Sequence, residues 1–410
     1  MIGATRCSRL VAPTCETTDQ RGVARPQDGN GDGLARCDIG AFERRAGTTD
    51  STSVMDLPVA FQVVNSNTSG FSCPSDFKQY TVRGHLVGPA TALASSSPSV
   101  TFYLYGFEGG EFHWRMTEAA AGVSGYDWAL EMAKLGHVSL TIDMLGYDSS
   151  VTPEGPHGFL NCIGSQADIT HQIVGQLRNG QYAVSGGTNN GTAFSKVVLA
   201  GHDVGAHAAE IEAYSYKDVD GLMTVQAADQ GFSDYIINLY AQRTAYCAST
   251  GGENREQESQ PPVGPGGYFY LPSLEDWRNL LFEPGNSDPR VVDTAIRLRN
   301  RNPCMWLMPA PAEFPINKAR LSEVDVPVLL VFPEKDPIFT REGQEQQRGN
   351  YCPEPDALTN CDVQVEWLAG TGHFPMLEKT APQFRALVAD WLCSRGLVSA
   401  TNGNDNGPRG

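Results

Sequence analysis

Residues 197–214, VVLAGHDVGAHAAEIEAY, run from an apolar stretch through Gly-His-Asp-Val-Gly into a small-residue helical pattern. Glycines at 201 and 205 permit a tight strand-to-helix turn that leaves the middle side chain, Asp203, exposed above the strand end. A carboxylate at that point is a candidate nucleophile. Its attack on an ester would have to pass through an anhydride, a poor route. Attack on an sp³ carbon bearing a strained or good leaving group gives an alkyl-enzyme ester, which water can hydrolyse. The rest of such a machine lies downstream. VPVLLVFPEKDPIF reads as a buried strand ending in a turn with Asp336, and WLAGTGHFPMLE places His373 in a Gly-flanked loop. His373 suits the base that activates water, Asp336 the carboxylate that orients its imidazole, and the Val204 N–H a donor to the developing oxyanion.

These residues need a frame. From about residue 80 to 395, β-rich runs occur at YTVRGHLVG, VTFYLYG, HVSLTIDMLG, KVVLAGHD, GLMTVQAAD, VPVLLVFPEKD and VQVEWLAGTGH. Helical patterns such as GYDWALEMAKLG and SQADITHQIVGQLRNG fall between several of them, so a mostly parallel α/β sheet with helices on both faces is expected. Residues 232–324 break the rhythm with Pro, Gly, Tyr and Trp and read as an inserted cap. It divides the core into 56–231 and 325–396, leaving a Gly/Asp-rich leader at 1–55 and a tail at 397–410. Glu210 and Glu212 after the elbow read as solvated or capping, His202 as structural, and Asp143 as a turn residue.

The chain of 410 residues is 40% hydrophobic and carries a formal net charge of −17. That balance affords a sizeable core and disfavours nucleic acid or an anionic membrane as partner. A small neutral organic substrate fits better. No apolar run reaches the roughly 18 residues of a membrane span. The ten cysteines form no metal-binding spacing. Cys352 with Cys361, Cys247 with Cys304 and Cys73 with Cys162 look placed to close loops, which suggests an oxidising, extracytoplasmic compartment. The N-terminal MIGATRCSRLVAPTC contains no apolar segment of signal-peptide type. Asp28, Asn30 and Asp32 imitate the start of a calcium loop without its closing Glu, and water, carboxylates and imidazole suffice for the chemistry, so neither metal nor cofactor is expected. Asn67-Thr68-Ser69 and Asn190-Gly191-Thr192 match glycosylation sequons.

GHDVG, EKDP and GTGHFPMLE, in the order nucleophile, acid, histidine, resemble the α/β-hydrolase superfamily over about residues 80–395. The GHD turn is similar to epoxide hydrolases and haloalkane dehalogenases, whereas the flanking texture looks like secreted hydrolases with serine at the elbow. The resemblance implies a second oxyanion donor at the Phe107 N–H in FYLYGFEGGEFHW, although the HGxP loop of epoxide hydrolases is missing. It also offers Asp229 in MTVQAADQGF as an alternative acid. Haloalkane dehalogenases commonly place an indole beside the nucleophile, where this chain has Val204. Epoxide hydrolases protonate the epoxide oxygen with cap tyrosines. Tyr235, Tyr240, Tyr246, Tyr268 and Tyr270 are available, and GGYFYLP favours Tyr268 and Tyr270. Epoxide hydrolysis to a vicinal diol leads on this reading. The alternatives are a haloalkane dehalogenase and an ester or lactone hydrolase scaffold in which Asp203 replaces serine. The leader stretch TDQRGVARPQDGNGDGLARCDIGAFE resembles the closing segment of bacterial surface proteins built from β-helix repeats.

Overall fold

The computed structural model describes residues 53–147, 150, 155–185, 191–252, 266–353 and 361–399. The leader with Asp28, Asn30 and Asp32, most of the tail, and Asn190 lie outside these described residues. The strands in chain order are β1 (Val54–Val64), β2 (Gln79–Pro89), β3 (Ser99–Leu104), β4 (Ser139–Asp143), β5 (Ala183–Val184), β6 (Lys196–His202), β7 (Gly221–Val225), β8 (Tyr268–Phe269), β9 (Asn302–Pro303), β10 (Val328–Pro333) and β11 (Val363–Leu368). Nine of them form one sheet in the order β11-β10-β7-β6-β3-β4-β2-β1-β5. The pairs from β4 to β11 along that order are parallel, while β2 runs antiparallel to both β1 and β4. β1 is an element the strand pattern did not announce. Its VMDLPVAFQVV alternates only over its second half, where Val59, Phe61 and Val63 face the core.

The central strands β3, β4, β7 and β10 are buried at every position, as expected of strands with both faces covered by helices. The helix Ile163–Asn179 lies against the elbow helix Val204–Tyr216 on one side of the sheet. On the other, Ala381–Ser394 contacts Trp128–Lys134, with the Trp128 and Phe384 rings 4.5 Å apart. Between β7 and β10 the chain builds the helices Asp234–Thr250, Pro289–Leu298 and Ala310–Arg320, and β8 pairs with β9 in a separate two-stranded sheet. The cysteine pairs Cys73–Cys162, Cys247–Cys304 and Cys352–Cys361 are disulfides, and no free cysteine remains among the described residues. Cys247–Cys304 ties the helix Asp234–Thr250 to the turn after β9. Among the described residues no helix is long and apolar enough to cross a membrane.

Candidate active site

β6 ends at His202, and Asp203 follows with φ 52° and ψ −127°, a region that side-chain-bearing residues seldom occupy. The strain persists because the neighbours leave no other path. Asp203 N–H donates to the Val225 carbonyl on β7 at 3.0 Å, and its own carbonyl accepts from Ala206 N–H at 2.9 Å. A Cβ at position 205 would lie 2.4 Å from the Tyr105 carbonyl oxygen, and one at 106 would lie 2.5 Å from the Asp203 Cβ. Glycine at both positions lets the elbow and the β3 loop meet.

That approach brings the Phe107 N–H to 3.0 Å from Asp203 Oδ2. Burial raises the Asp203 pKa, opposed by the His373 charge, by the Phe107 and Val204 amides and by His207. The two amides expected as oxyanion donors both favour the charged carboxylate.

Asp336 Oδ1 stands 2.6 Å from His373 Nδ1. The other carboxylate oxygen accepts from the Ile338 N–H at 2.9 Å, the Phe339 N–H at 3.2 Å and the Gln226 amide, a residue itself held at φ 56°. Burial lowers the His373 pKa, but the Asp336 charge and hydrogen bond, with Asp203 and Glu378 behind them, outweigh it and the net shift is upward. Glu378 secures the histidine loop by accepting from the Gly372 and Glu283 N–H groups, each at 2.9 Å, and from Asn286 at 2.7 Å. Burial pushes its carboxyl up to about 7 despite these donors. His202 Nε2 lies 2.8 Å from the His373 carbonyl. A carbonyl only accepts, so His202 carries its proton on Nε2. Burial, then the nearby His373 and His113, hold its pKa well below the ordinary value. His113 is fully buried and has no hydrogen-bond partner among the described residues, and burial takes its pKa down to about 3. Both rings are neutral packing between the elbow and Phe374.

Asp203 and His373 open on a cavity of about 20 Å³, lined also by Phe107, Tyr235, Tyr240, Leu271 and Trp277. By this measure it has room for about one water. Beyond Ile236 and Tyr240 lies a groove of about 690 Å³, whose walls include Phe232, Ala241, Ala245, Leu307 and Phe314.

The structure places several of the expected site residues away from His373 and Asp203. Asp229 does not face His373; it accepts from Asn317 at 3.0 Å and Gln347 at 3.0 Å in a buried cluster with His207 and Glu210. Tyr268 and Tyr270 do not line the cavity at Asp203 and His373. The Tyr268 hydroxyl donates to the Pro156 carbonyl at 2.9 Å, and the Tyr270 ring lies under Arg299 at 4.3 Å. Tyr235 and Tyr240 take that place, both from the helix Asp234–Thr250. Of the two, Tyr240 senses the Asp203 charge, which together with burial holds its hydroxyl pKa well above the ordinary value. Tyr235, pushed up by burial, senses Asp276 and Glu108 instead. Glu210 and Glu212 are fully buried, contrary to their reading as solvated or capping; Asn317 and Tyr351 reach Glu210 from distant parts of the chain, and burial holds the Glu212 carboxyl well above its ordinary pKa.

The His207–Glu210–Asp229 set has the types and spacing to hold a cation. The Asn317 amide nitrogen already occupies its centre, 2.7 Å from Glu210 Oε2, 3.0 Å from Asp229 Oδ1 and 3.3 Å from His207 Nδ1. Burial works against the His207 charge, but the Glu210 hydrogen bond and the Asp229, Glu210 and Glu313 charges raise its pKa to about 9. The Asn317 amide thus stands where a cation would sit in this buried cluster of one imidazole and several carboxylates.

Comparison with known proteins agrees with this fold. The profile of the alpha/beta hydrolase family matches residues 119–386. A thermophilic esterase from Thermogutta terrifontis is similar in structure, with 16% identity, a TM-score of 0.53, and coverage of 82% of this chain and 99% of that one. A monoacylglycerol lipase from Paleococcus ferrophilus shows 15% identity and a TM-score of 0.50 over 73% of this chain and 97% of its own. A peroxisomal alpha-beta-hydrolase from Saccharomyces cerevisiae has 11% identity and a TM-score of 0.50 over 87% and 93%. A search of curated proteins returned no match. These identities carry the fold alone; the family follows from the profile, which spans more than half of the sequence. The chain belongs to the alpha/beta hydrolase family.

Proposed function

We propose that the protein hydrolyses apolar epoxides to vicinal diols through an ester on Asp203. The observation that carries this reading is the 3.0 Å hydrogen bond from the Phe107 N–H to Asp203 Oδ2. It seats one carboxylate oxygen as the future carbonyl oxygen of an ester and leaves Oδ1 as nucleophile. Oδ1 attacks an epoxide carbon, the C–O bond opens, and the oxygen takes the Tyr240 proton. His373 then removes a proton from water, which attacks Cγ of Asp203 while the Phe107 and Val204 amides hold the charge on Oδ2. Collapse cleaves Cγ–Oδ1 and the departing diol oxygen takes the proton from His373. The second proton of the water, left on the Asp203 carboxyl, returns to Tyr240.

Two features favour this reading over a haloalkane dehalogenase. Val204 beside the nucleophile has no side-chain donor, and the cavity tryptophan, Trp277, spends its N–H on Glu108 at 2.7 Å. The groove beyond Tyr240, walled largely by hydrocarbon, suits a substrate with an apolar tail. The inserted segment acts as the cap. An ester or lactone hydrolase with Asp203 in place of serine is the second reading, favoured by the Tyr105-Gly106-Phe107 loop that departs from HGxP. Diol formation from 1,2-epoxydodecane tests the choice, with Tyr240→Phe expected to lower kcat on the order of 10²-fold. No diol from the wild type, together with hydrolysis of p-nitrophenyl butyrate by Asp203→Ser, would favour the second reading.

A further inference from the structure

Every polar atom of Glu108, the residue after the oxyanion donor, is bonded to the segment between β7 and β10. Its N–H donates to Asn302 Oδ1 at 2.6 Å, and its carbonyl accepts from the Asn300 N–H at 3.0 Å. Oε1 accepts from the Leu271 N–H, and Oε2 from Trp277 Nε1 at 2.7 Å and Arg299 at 3.3 Å. The side chain is fully buried, and the backbone stands at φ 56°, which a residue other than glycine adopts only when its surroundings demand it. Leu271 and Trp277, two of the partners, line the catalytic cavity on their other side.

We propose that Glu108 is a positioning residue that couples the seating of the inserted segment to the aim of the Phe107 N–H at Asp203. The geometry leaves the β3 loop little independence. The Phe107 amide can point at Oδ2 only while the next residue keeps its left-handed turn, and that turn is bonded at each polar atom to the segment that closes over the site. A cavity with room for about one water cannot admit substrate without movement of its walls. When Leu271 and Trp277 move aside, the Glu108 bonds go with them and the oxyanion amide loses its aim; when they return, it regains it. Cap closure and oxyanion-hole assembly are then one event. The catalytic consequence rests on the reading of Asp203 as nucleophile with Phe107 as oxyanion donor; the mechanical coupling does not.

The test uses Glu108→Gln, which keeps the shape and loses the charge, and Glu108→Gly, which removes the side chain while favouring the left-handed backbone. In each, hydrogen–deuterium exchange of the peptide containing residues 104–112 is read beside turnover of 1,2-epoxydodecane. The proposal expects faster exchange in that peptide, kcat lower by about 100-fold with KM lowered alongside it so that kcat/KM is little changed, and accumulation of the Asp203 ester seen by intact mass. Unchanged exchange in both variants overturns the coupling. Faster exchange with an unchanged kcat, or with only KM raised, overturns the positioning role. Faster exchange in a protein whose wild type forms neither ester nor diol supports the coupling and sinks the Asp203 reading instead.

Discussion

Replacement of His373 by glutamine is expected to stop the reaction halfway. The first step needs only the Asp203 carboxylate and a proton for the opening epoxide, so the alkyl ester forms. The second step needs a base for water, and glutamine offers none, so kcat falls on the order of 10³- to 10⁴-fold. The protein then gains the mass of one substrate molecule, and fragmentation places it on Asp203. The same base sets the pH profile. Burial alone would keep His373 neutral to lower pH, but Asp336 and Asp203 raise its pKa above the ordinary 6.5. Neutral imidazole is the working form, so kcat rises with pH through the His373 pKa in the ester, where the Asp336 charge and hydrogen bond still raise it against burial and the Asp203 charge is gone. Tyr240, held well above the ordinary phenol range by burial and by Asp203, remains a proton donor and adds no falling limb at moderately alkaline pH. Steady-state kinetics over pH 5–9 check the limb, and intact mass checks the ester.

Asp203→Ala has the other large effect, and a different signature. Without the carboxylate no ester forms at all, so turnover falls on the order of 10⁴-fold or more and no mass is gained even when His373 is also replaced. Folding should survive. The side chain is pinned by the Phe107 amide rather than packed as core, and its buried charge is costly. A small rise in melting temperature alongside the lost activity is the expected pair of results. Retained diol formation would remove Asp203 from the chemistry.

How much of this could be read from the sequence depended on the range of the contacts. The elbow is local: Gly201, Asp203 and Gly205 lie within one turn, and their types state what the backbone must do. Asp336 and His373 each follow a strand of the parallel sheet, which brings both to one edge, and the structure joins them at 2.6 Å. β1 escaped because its first half does not alternate: half-buried Val54 and Leu57 are three apart, with exposed Met55 and Asp56 between them. The cap tyrosines were misplaced for a different reason. GGYFYLP drew attention by its aromatic density, yet the useful signal was helical spacing in DYIINLYAQRTAYC, where Ile236 and Tyr240 are four apart and share a face. Glu108 had no local signal at all. Its partners lie 163 to 194 positions away, in the stretch that the Cys247–Cys304 disulfide closes. Glu210 and Glu212 sit on a helix covered on all sides by the sheet, the helix Ile163–Asn179 and the helix Ala310–Arg320, which a reading of the helix alone takes for a wet surface.

The most direct test of the ester route is a single turnover of 1,2-epoxydodecane by excess wild-type protein in H₂¹⁸O. The account predicts diol free of ¹⁸O, because its new oxygen is the former Oδ1, and one ¹⁸O in the Asp203 carboxylate. Labelled diol with unlabelled Asp203 would mean direct attack by water and would contradict it.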